Sequence, residues 1–251
     1  MLCTDSLLLD LVDPSRITSI TYLSRSRSFS YLWPLAAQVP INHGLSEEVL
    51  AQRPDLILAG TYTTAATRVL LKRLGMPLLE VPPANDFEEI RRVTRMVGQA
   101  VGEPERAESL LARMDGTLRE LSLTRPTQII RVVSWDGGGS VPGEGTLFDA
   151  ILRMAGGINI AAEPGTQSSY FGMERLLLAR PDVLAYGAAN QDKPSLRTDA
   201  DQHPLILKLY GKRRVTYPEL LYSCGVPESA EAARALRASL LQVMQRPGVP
   251  P

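Results

Sequence analysis

The 251-residue chain has very few of the residues that build metal sites and disulfide frameworks. It contains only two cysteines, Cys3 and Cys224, and only two histidines, His43 and His203. Two cysteines are too few for a metal cluster or a set of disulfides, and two histidines cannot form a three-histidine zinc site. The cysteines leave two alternatives open, a single Cys3–Cys224 bridge or two idle thiols, and idle thiols are the commoner. The composition therefore predicts neither a metal nor any other cofactor.

Charge and hydrophobicity exclude two further kinds of partner. The 27 basic and 27 acidic residues balance, which removes the usual argument for binding to nucleic acid or to an anionic membrane. No stretch approaches the roughly 18 apolar residues of a membrane span. Residues 1–5, "MLCTD", lack both the basic and the apolar region of a secretory signal, so no signal is expected within them. The apolar fraction of 44% and the charged fraction of 22% are typical of a globular protein.

The chain does contain a long internal repeat. The octamer "RPDLILAG" at 53–60 returns as "RPDVLAYG" at 180–187, and a short amphipathic helical stretch precedes each copy. Gly75 and Gly211 follow the next helical stretch in each half, where a left-handed residue is expected. Upstream, the β-branched runs at 16–23 and 128–134 are each predicted to be a strand. Each half therefore has the order strand, helix, strand, helix, strand.

This order predicts a fold of the α/β class. We expect two Rossmann-like lobes with mostly parallel sheets, an amino-terminal lobe at 1–102 and a carboxy-terminal lobe at 125–251. Residues 103–124 are predicted to form one long rigid helix between them, since Pro104 is a favoured first-turn residue and a floppy linker would be rich in glycine and serine. The duplication predicts a ligand cleft between the two lobes.

The motifs of common enzyme sites are absent. The glycine loop at 137–145 places Glu144 where a phosphate-binding loop requires lysine, and no Gly-x-Ser-x-Gly nucleophile motif occurs. His43 and His203 each lie in a predicted loop beside Gly44 or Pro204. The sequence therefore predicts a protein that is not an enzyme.

Aromatic, hydroxyl and cationic residues cluster just after the predicted strands. Ligands of open α/β sheets bind outside the carboxyl ends of the strands, so these residues suit a bulky, partly flat organic ligand with some negative charge. The alternative is that some of the aromatic side chains only pack the hinge. The residues predicted to bind ligand are Arg25, Arg27, Tyr31, Trp33, Tyr62, Thr63, Trp135, Asp136, Tyr170, Phe171, Tyr186 and Asn190.

Four segments in combination resemble a known family. They are the helix–"RPDLILAG"–helix–"LGMPLLEVP" unit, the connecting helix at 104–122, "GTLFDAILRMAGGINIA" at 145–161, and "LLLARPDVLAYG" at 176–187. Together they resemble the periplasmic substrate-binding proteins of ABC importers for iron–siderophore complexes and cobalamin. The resemblance covers nearly the whole chain and implies a monomeric, periplasmic binding protein that delivers its ligand to a membrane permease.

The sequence departs from the family pattern in two places. Family members normally begin with a signal peptide and a strand of the type "rVVSLN" directly before the segment that matches "LCTD", which here starts at Leu2. Either the start is misassigned, the sequence is cut, or this copy is truncated, and the amino-terminal lobe as given is expected to lack an interior strand. Some relatives also carry a glutamate on each lobe for docking to the permease, and the nearest candidates here are Glu219 and Glu228.

Three hypotheses about function follow. The first is capture of a metal chelate, with an iron–siderophore complex slightly preferred over cobalamin because cations and hydroxyls are plentiful near the strand ends. The second is a chelatase or cofactor-assembly enzyme on a similar scaffold, for which His43 is the only plausible metal ligand in the first lobe. The third is a truncated, inactive relative.

Overall fold

The computed structural model describes residues 1–135, 141–163, 171–187, 196–217 and 220–246. Four of the predicted site residues, Asp136, Tyr170, Asn190 and Glu219, lie outside these ranges. The chain divides into two compact units. Unit 1 is Met1–Arg113 with Ser223–Pro227, and unit 2 is Met114–Tyr222 with Glu228–Pro251.

Unit 1 contains two separate pairs of parallel strands. β1 pairs with β2 and β3 pairs with β4, and within the described chain neither pair is extended by a third strand. Leucines of α1 and the apolar face of α5 form the core, and the Asp86 carboxylate caps α5 by accepting the Glu89 N–H at 2.7 Å. The elements are α1 (Leu2–Leu11), β1 (Ile20–Thr21), α2 (Trp33–Ala36), β2 (Ile41–Asn42), α3 (Ser46–Ala51), β3 (Ile57–Gly60), α4 (Ala65–Arg73), β4 (Leu78–Val81) and α5 (Phe87–Ala100).

The predicted long helix is present as α6 (Pro104–Leu123). Its first ten residues belong to unit 1 and the rest to unit 2. The buried apolar residues recur every three or four positions, with Leu110 and Leu111 adjacent, as expected for one apolar stripe. They are Ala107, Leu110, Leu111, Met114, Leu118 and Leu121.

Unit 2 contains one four-stranded parallel sheet in the order β6-β5-β7-β8. β5 lies inside this sheet, between β6 and β7. α7 begins at the Thr146 cap and ends at Gly156, whose φ of 95° is left-handed. The elements are β5 (Ile130–Ser134), α7 (Leu147–Ala155), β6 (Gly157–Asn159), α8 (Met173–Ala179), β7 (Val183–Gly187), α9 (Leu196–Asp201), α10 (Pro204–Tyr210), β8 (Arg214–Tyr217), α11 (Leu220–Ser223) and α12 (Ser229–Met244).

The internal repeat is visible in the backbone. Arg53 has a φ of 49° and Arg180 a φ of 46°, and these two are the non-glycine residues with positive φ within the described chain. Each follows a short helix and precedes a strand that pairs in parallel, β3 after Arg53 and β7 after Arg180. The same uncommon conformation at the same position of both octamers confirms that the two copies fold alike. The predicted α/β class with parallel sheets is confirmed in both units.

Two local predictions are wrong. The run at 16–23 is not one strand, because 3₁₀ turns at Pro14–Arg16 and Tyr22–Arg25 leave only Ile20–Thr21 extended. Gly75 is left-handed as expected, with a φ of 71°, but Gly211 is right-handed, with a φ of −53°.

The cysteines form a disulfide, with their Cα atoms 5.1 Å apart, so the less favoured of the two alternatives is the one present. The bridge joins α1 to the segment Ser223–Pro227, which belongs to unit 1 although the sequence on both sides belongs to unit 2. Gly225 packs so closely on unit 1 that a Cβ there would lie 2.1 Å from the Ala84 carbonyl oxygen. The disulfide and this close backbone contact together hold the segment in place.

Candidate functional site

In unit 1, the predicted ligand residues follow β1 and β3. A 3₁₀ turn, Tyr22–Arg25, begins directly after β1, and Thr61–Thr64 follow β3. Both strands belong to parallel pairs, and ligand sites of α/β folds lie beyond the carboxyl ends of such strands. The local fold therefore exposes two short loops where the sequence predicted a binding surface.

The loop after β1 carries an aromatic and cationic pair. The Arg27 guanidinium lies 4.2 Å from the centre of the Trp33 ring, a distance typical of a cation–π contact. The Tyr31 hydroxyl donates a hydrogen bond to the Asp10 carboxylate at 2.7 Å, which fixes the loop on the end of α1. Arg27 is exposed and Trp33 half-buried, so both retain surface that a ligand can contact.

Arg25 is engaged within the protein. Its guanidinium donates hydrogen bonds to the backbone carbonyls of Ala36, the last residue of α2, and Val39, three residues beyond it. The Ala36 carbonyl also accepts the Val39 N–H at 3.2 Å. In this conformation Arg25 therefore supports the loop that carries Trp33, and its contact with ligand stays a prediction.

Tyr62, another predicted ligand residue, has a highly exposed side chain. Its relative exposure is 81%. The turn that carries it is held by a hydrogen bond from the Thr63 N–H to the Gly60 carbonyl at 2.9 Å. Thr64 then caps α4 through its side chain. A tyrosine ring presented on a rigid turn is well suited to stack on a flat ligand.

His43 lies in a small cluster that the sequence did not predict. Its ring stacks on Tyr22, with centroids 5.5 Å apart, and its Nδ1 lies 2.9 Å from Glu48 Oε1. The Glu48 carboxylate accepts a hydrogen bond from the His43 backbone N–H, and it also contacts the His43 ring. The backbone bond first, and the ring contact second, hold the pKa of the Glu48 carboxyl below its ordinary value. Within the described residues no group of three or more His, Cys, Asp or Glu side chains could hold a metal ion.

In unit 2, three of the predicted ligand residues are buried. Trp135 is 1% exposed, Phe171 is buried completely, and Tyr186 is 4% exposed, and all three belong to one hydrophobic cluster. The Trp135 indole N–H donates a hydrogen bond to the Phe171 carbonyl oxygen at 2.7 Å. Their burial favours the packing alternative for these side chains. Contact with ligand stays a prediction for them, and it would require this cluster to open.

Of the two predicted docking residues, the structure describes Glu228. Glu228 is half-buried and precedes α12 as its N-cap residue, and its role in docking stays a prediction. No helix among the described residues is both long and apolar enough to cross a membrane.

Comparison with known proteins agrees with this architecture. The family described as "Periplasmic binding protein" matches residues 21–202. A cobalamin-binding protein of Halobacterium salinarum is 28% identical over 148 residues, which are 57% of this chain and 40% of that protein. An uncharacterized ABC transporter substrate-binding lipoprotein of Bacillus subtilis is 26% identical over 150 residues, 55% of this chain and 47% of that one. The matches thus span less than half the length of each of these curated relatives.

The fold is also found in solved structures. The apo periplasmic heme-binding protein of Roseiflexus sp. RS-1 superimposes with a TM-score of 0.73 at 20% identity, covering 96% of this chain and 95% of that one. At this identity the likeness shows the fold. These proteins are described as binding proteins, and none of the matches supports the chelatase alternative. Because the family pattern covers well over half of the sequence, this chain belongs to the periplasmic binding protein family.

Proposed function

We propose that this protein captures a bulky metal chelate outside the cytoplasm and delivers it to the permease of an ABC importer. The observation that carries the proposal is the family match over residues 21–202. Cobalamin is the first candidate, because a curated relative is described as cobalamin-binding. Heme and ferric siderophores follow, the former because a protein of the same fold is described as heme-binding.

The exposed surface of unit 1 supports a flat or macrocyclic ligand. Tyr62 offers an unobstructed ring face, and Arg27 over Trp33 offers a second π surface with a positive charge. A rigid aromatic surface loses little conformational entropy on binding, which is why such side chains dominate small-molecule and interface contacts. A guanidinium beside it suits the carboxylates of heme or the phosphate of cobalamin.

The disulfide supports a periplasmic location. Such bridges persist in oxidising compartments and are rare where thioredoxin and glutathione keep thiols reduced. The Cys3–Cys224 bridge is therefore the bonding expected of an exported protein.

The ligand class can be identified by titrating the protein with cyanocobalamin, hemin and a ferric siderophore. Binding of each is measured as quenching of tryptophan fluorescence. At least one of the three is expected to bind with a Kd of about 1 μM or tighter. For that ligand, Tyr62→Ala is expected to weaken binding about tenfold, because it removes the exposed ring. Leu178→Ala is the matched control, since Leu178 is equally exposed at 83% but lies on α8.

Tyr62→Phe distinguishes two ways in which the Tyr62 side chain can contact a ligand. If the ring only stacks, phenylalanine retains nearly full affinity; if the phenol oxygen ligates ferric heme, affinity for hemin falls while that for cobalamin does not. Failure of all three ligands to bind, at concentrations up to about 100 μM, would contradict the proposed function.

The chelatase alternative makes an opposite prediction about His43. We expect the protein not to accelerate metal insertion into a metal-free porphyrin, measured by absorbance, because His43 has a carboxylate neighbour but no third metal ligand near it within the described chain. His43→Ala should therefore leave the background rate and the affinity for chelates within about twofold. An accelerated rate that His43→Ala abolishes would favour the enzyme.

A further inference from the structure

The sheet of unit 2 has two ends with different side chains. β5, β7 and β8 are parallel neighbours in it, so the residues that precede the three strands lie together at one end and those that follow them lie at the other. The predicted ligand residues Trp135 and Tyr186 belong to the carboxyl end. The amino end is formed by residues 124–129, 178–182 and 208–213, which precede β5, β7 and β8 respectively. None of the residues predicted to bind ligand lies in these three segments.

Backbone hydrogen bonds hold the three segments side by side. The Asp182 N–H donates to the Arg131 carbonyl at 2.8 Å, and the Leu184 N–H donates to the Arg213 carbonyl at 2.9 Å. Neighbouring strands of a sheet lie about 4.8 Å apart. Side chains from all three segments are therefore close enough to contact one partner at the same time.

The amino end of the sheet has an excess of positive charge, although the charges of the whole chain balance. The three segments contain five lysines or arginines and one acid, Asp182, whose carboxylate accepts a backbone N–H of β5 at 2.7 Å. The Arg213 guanidinium donates to the Leu209 carbonyl at 2.7 Å. Arg246, just beyond α12, donates to the Lys212 carbonyl at 3.2 Å. These bonds go to backbone carbonyls, so they position the guanidinium groups without neutralising their charge.

Exposed aliphatic side chains lie among these cations. Ile129, directly before β5, is 66% exposed, and Leu178, in the last turn of α8, is 83% exposed. Burial raises the pKa of Tyr210, and the charges of Arg213 and Arg180 oppose that rise, so cations of two segments lie near one phenol. The aliphatic and cationic side chains together form what we call the amino-end patch, which comprises Ile129, Leu178, Arg180, Lys212, Arg213 and Arg246.

We propose that the amino-end patch docks unit 2 on the surface of a membrane that contains anionic phospholipid. Lysine and arginine side chains are attracted to the headgroups of such a surface, and each strengthens binding about fivefold. Exposed aliphatic side chains insert at the boundary between headgroups and acyl chains. The inference rests on the proposed function in one respect, because a protein that delivers its ligand to a permease works beside the membrane that holds the permease. Within unit 2, docking and ligand capture then use opposite ends of the sheet.

Other occupants match the amino-end patch less well. A second copy of the chain, related by a twofold axis, would place the same cations against one another. A nucleic acid would match the cations, since its backbone is anionic, but would give the Ile129 and Leu178 side chains no apolar layer to enter. A membrane surface offers both the negative charge and the apolar layer.

The test is cosedimentation of the full chain, without ligand, with lipid vesicles. Vesicles of phosphatidylcholine with about 30% phosphatidylglycerol should pellet the protein in about 50 mM NaCl, whereas vesicles of phosphatidylcholine alone should not. Binding should weaken at least about tenfold when NaCl is raised to about 500 mM, because salt screens the attraction between exposed charges. Failure of the wild-type protein to bind the phosphatidylglycerol vesicles would overturn the proposal.

Variants at exposed positions locate the docking surface. The double variant Arg180→Gln and Lys212→Gln should bind the phosphatidylglycerol vesicles about 25-fold more weakly, because it removes two exposed charges of the patch. Leu178→Ala should weaken binding about fivefold, because it removes an apolar side chain that enters the lipid. The matched control is Arg73→Gln with Arg92→Gln, which removes two exposed charges from α4 and α5 of unit 1 and should change binding by less than about twofold.

Three further outcomes decide between the alternatives. Equal losses in the patch variant and in the unit 1 control would overturn the patch, since only the net charge would then matter. Displacement from the vesicles by about 1 mM glycerol 3-phosphate would overturn membrane docking in favour of a site for a soluble phosphate ester. The patch variants should bind the ligand of the wild type with unchanged affinity. Loss of vesicle binding alone therefore concerns docking, whereas failure of every ligand to bind contradicts the proposed function whatever the vesicles show.

Discussion

Removing the Cys3–Cys224 disulfide is expected to lower the free energy of unfolding of unit 1 by about 4 kcal/mol. The two cysteines are 221 positions apart, so the bridge closes a very long loop and greatly restricts the unfolded chain. The chain-entropy estimate for loops of this length is about 5 kcal/mol, and measured losses usually fall somewhat below it. The segment Ser223–Pro227 would also lose its covalent link to α1.

The test compares the double variant Cys3→Ala and Cys224→Ala with the wild-type protein, each with and without reductant. The melting temperature of the wild type in reductant should fall by roughly 10 °C and approach that of the double variant, while the double variant should not respond to reductant. Two titratable thiols in native protein from an oxidising host, or equal stability of all four samples, would contradict the bridge.

The local elements could be predicted from the sequence, because each depends on residues close together in the chain. The long helix predicted within residues 103–124 is present as α6 (Pro104–Leu123), and β5 (Ile130–Ser134) lies within the run predicted at 128–134. The octamer repeat was the most informative pattern, because it implied two units of the same α/β type before any strand was placed. The positive φ of Arg53 and Arg180 shows that even the backbone detail of the octamer was conserved between the copies.

Features that depend on distant residues could not be predicted in this way. The disulfide requires Ser223–Pro227 to fold with unit 1, which no local pattern indicates. The run at 16–23 has the composition of a strand, but pairing for β1 is available only at Ile20 and Thr21. A local pattern indicates which secondary structure a segment can form, and its tertiary contacts decide how many of its residues form it.

The sequence predicted where the candidate site residues lie relative to the strands, but it did not predict how exposed their side chains are. The strand-end rule selected Tyr62 and Trp135 equally, yet one is 81% exposed and the other 1%. The difference lies in the surrounding residues: Trp135 belongs to a buried cluster with Phe171 and with residues of α8 and α10, whereas Tyr62 follows β3, which pairs only with β4 within the described chain. The contact of His43 with Tyr22 was likewise not visible in the sequence, because the two residues are far apart in it.

Arg237 is the second residue whose replacement should have a large effect. It is only 7% exposed and lies on α12. Its guanidinium donates to the carbonyl oxygens of Leu121 at 2.6 Å, Met154 at 2.7 Å and Ala155 at 3.0 Å. These carbonyls belong to the last turns of α6 and α7, which have no intrahelical donors. One buried cation therefore caps two helices and holds them to a third.

We expect Arg237→Met to lower the free energy of unfolding of unit 2 by about 4 kcal/mol, because methionine fills similar space but leaves several buried carbonyls without donors. Burial lowers the pKa of Arg237, but a guanidinium stays charged at neutral pH, so the effect should not vary between pH 6 and 8. The control is Arg246→Met, just beyond α12, where an exposed arginine donates to a single carbonyl, that of Lys212 at 3.2 Å; it should change stability by less than about 0.5 kcal/mol. Urea unfolding of both variants measures the difference, and equal losses would show that the buried cap contributes no more to unit 2 than a surface arginine does.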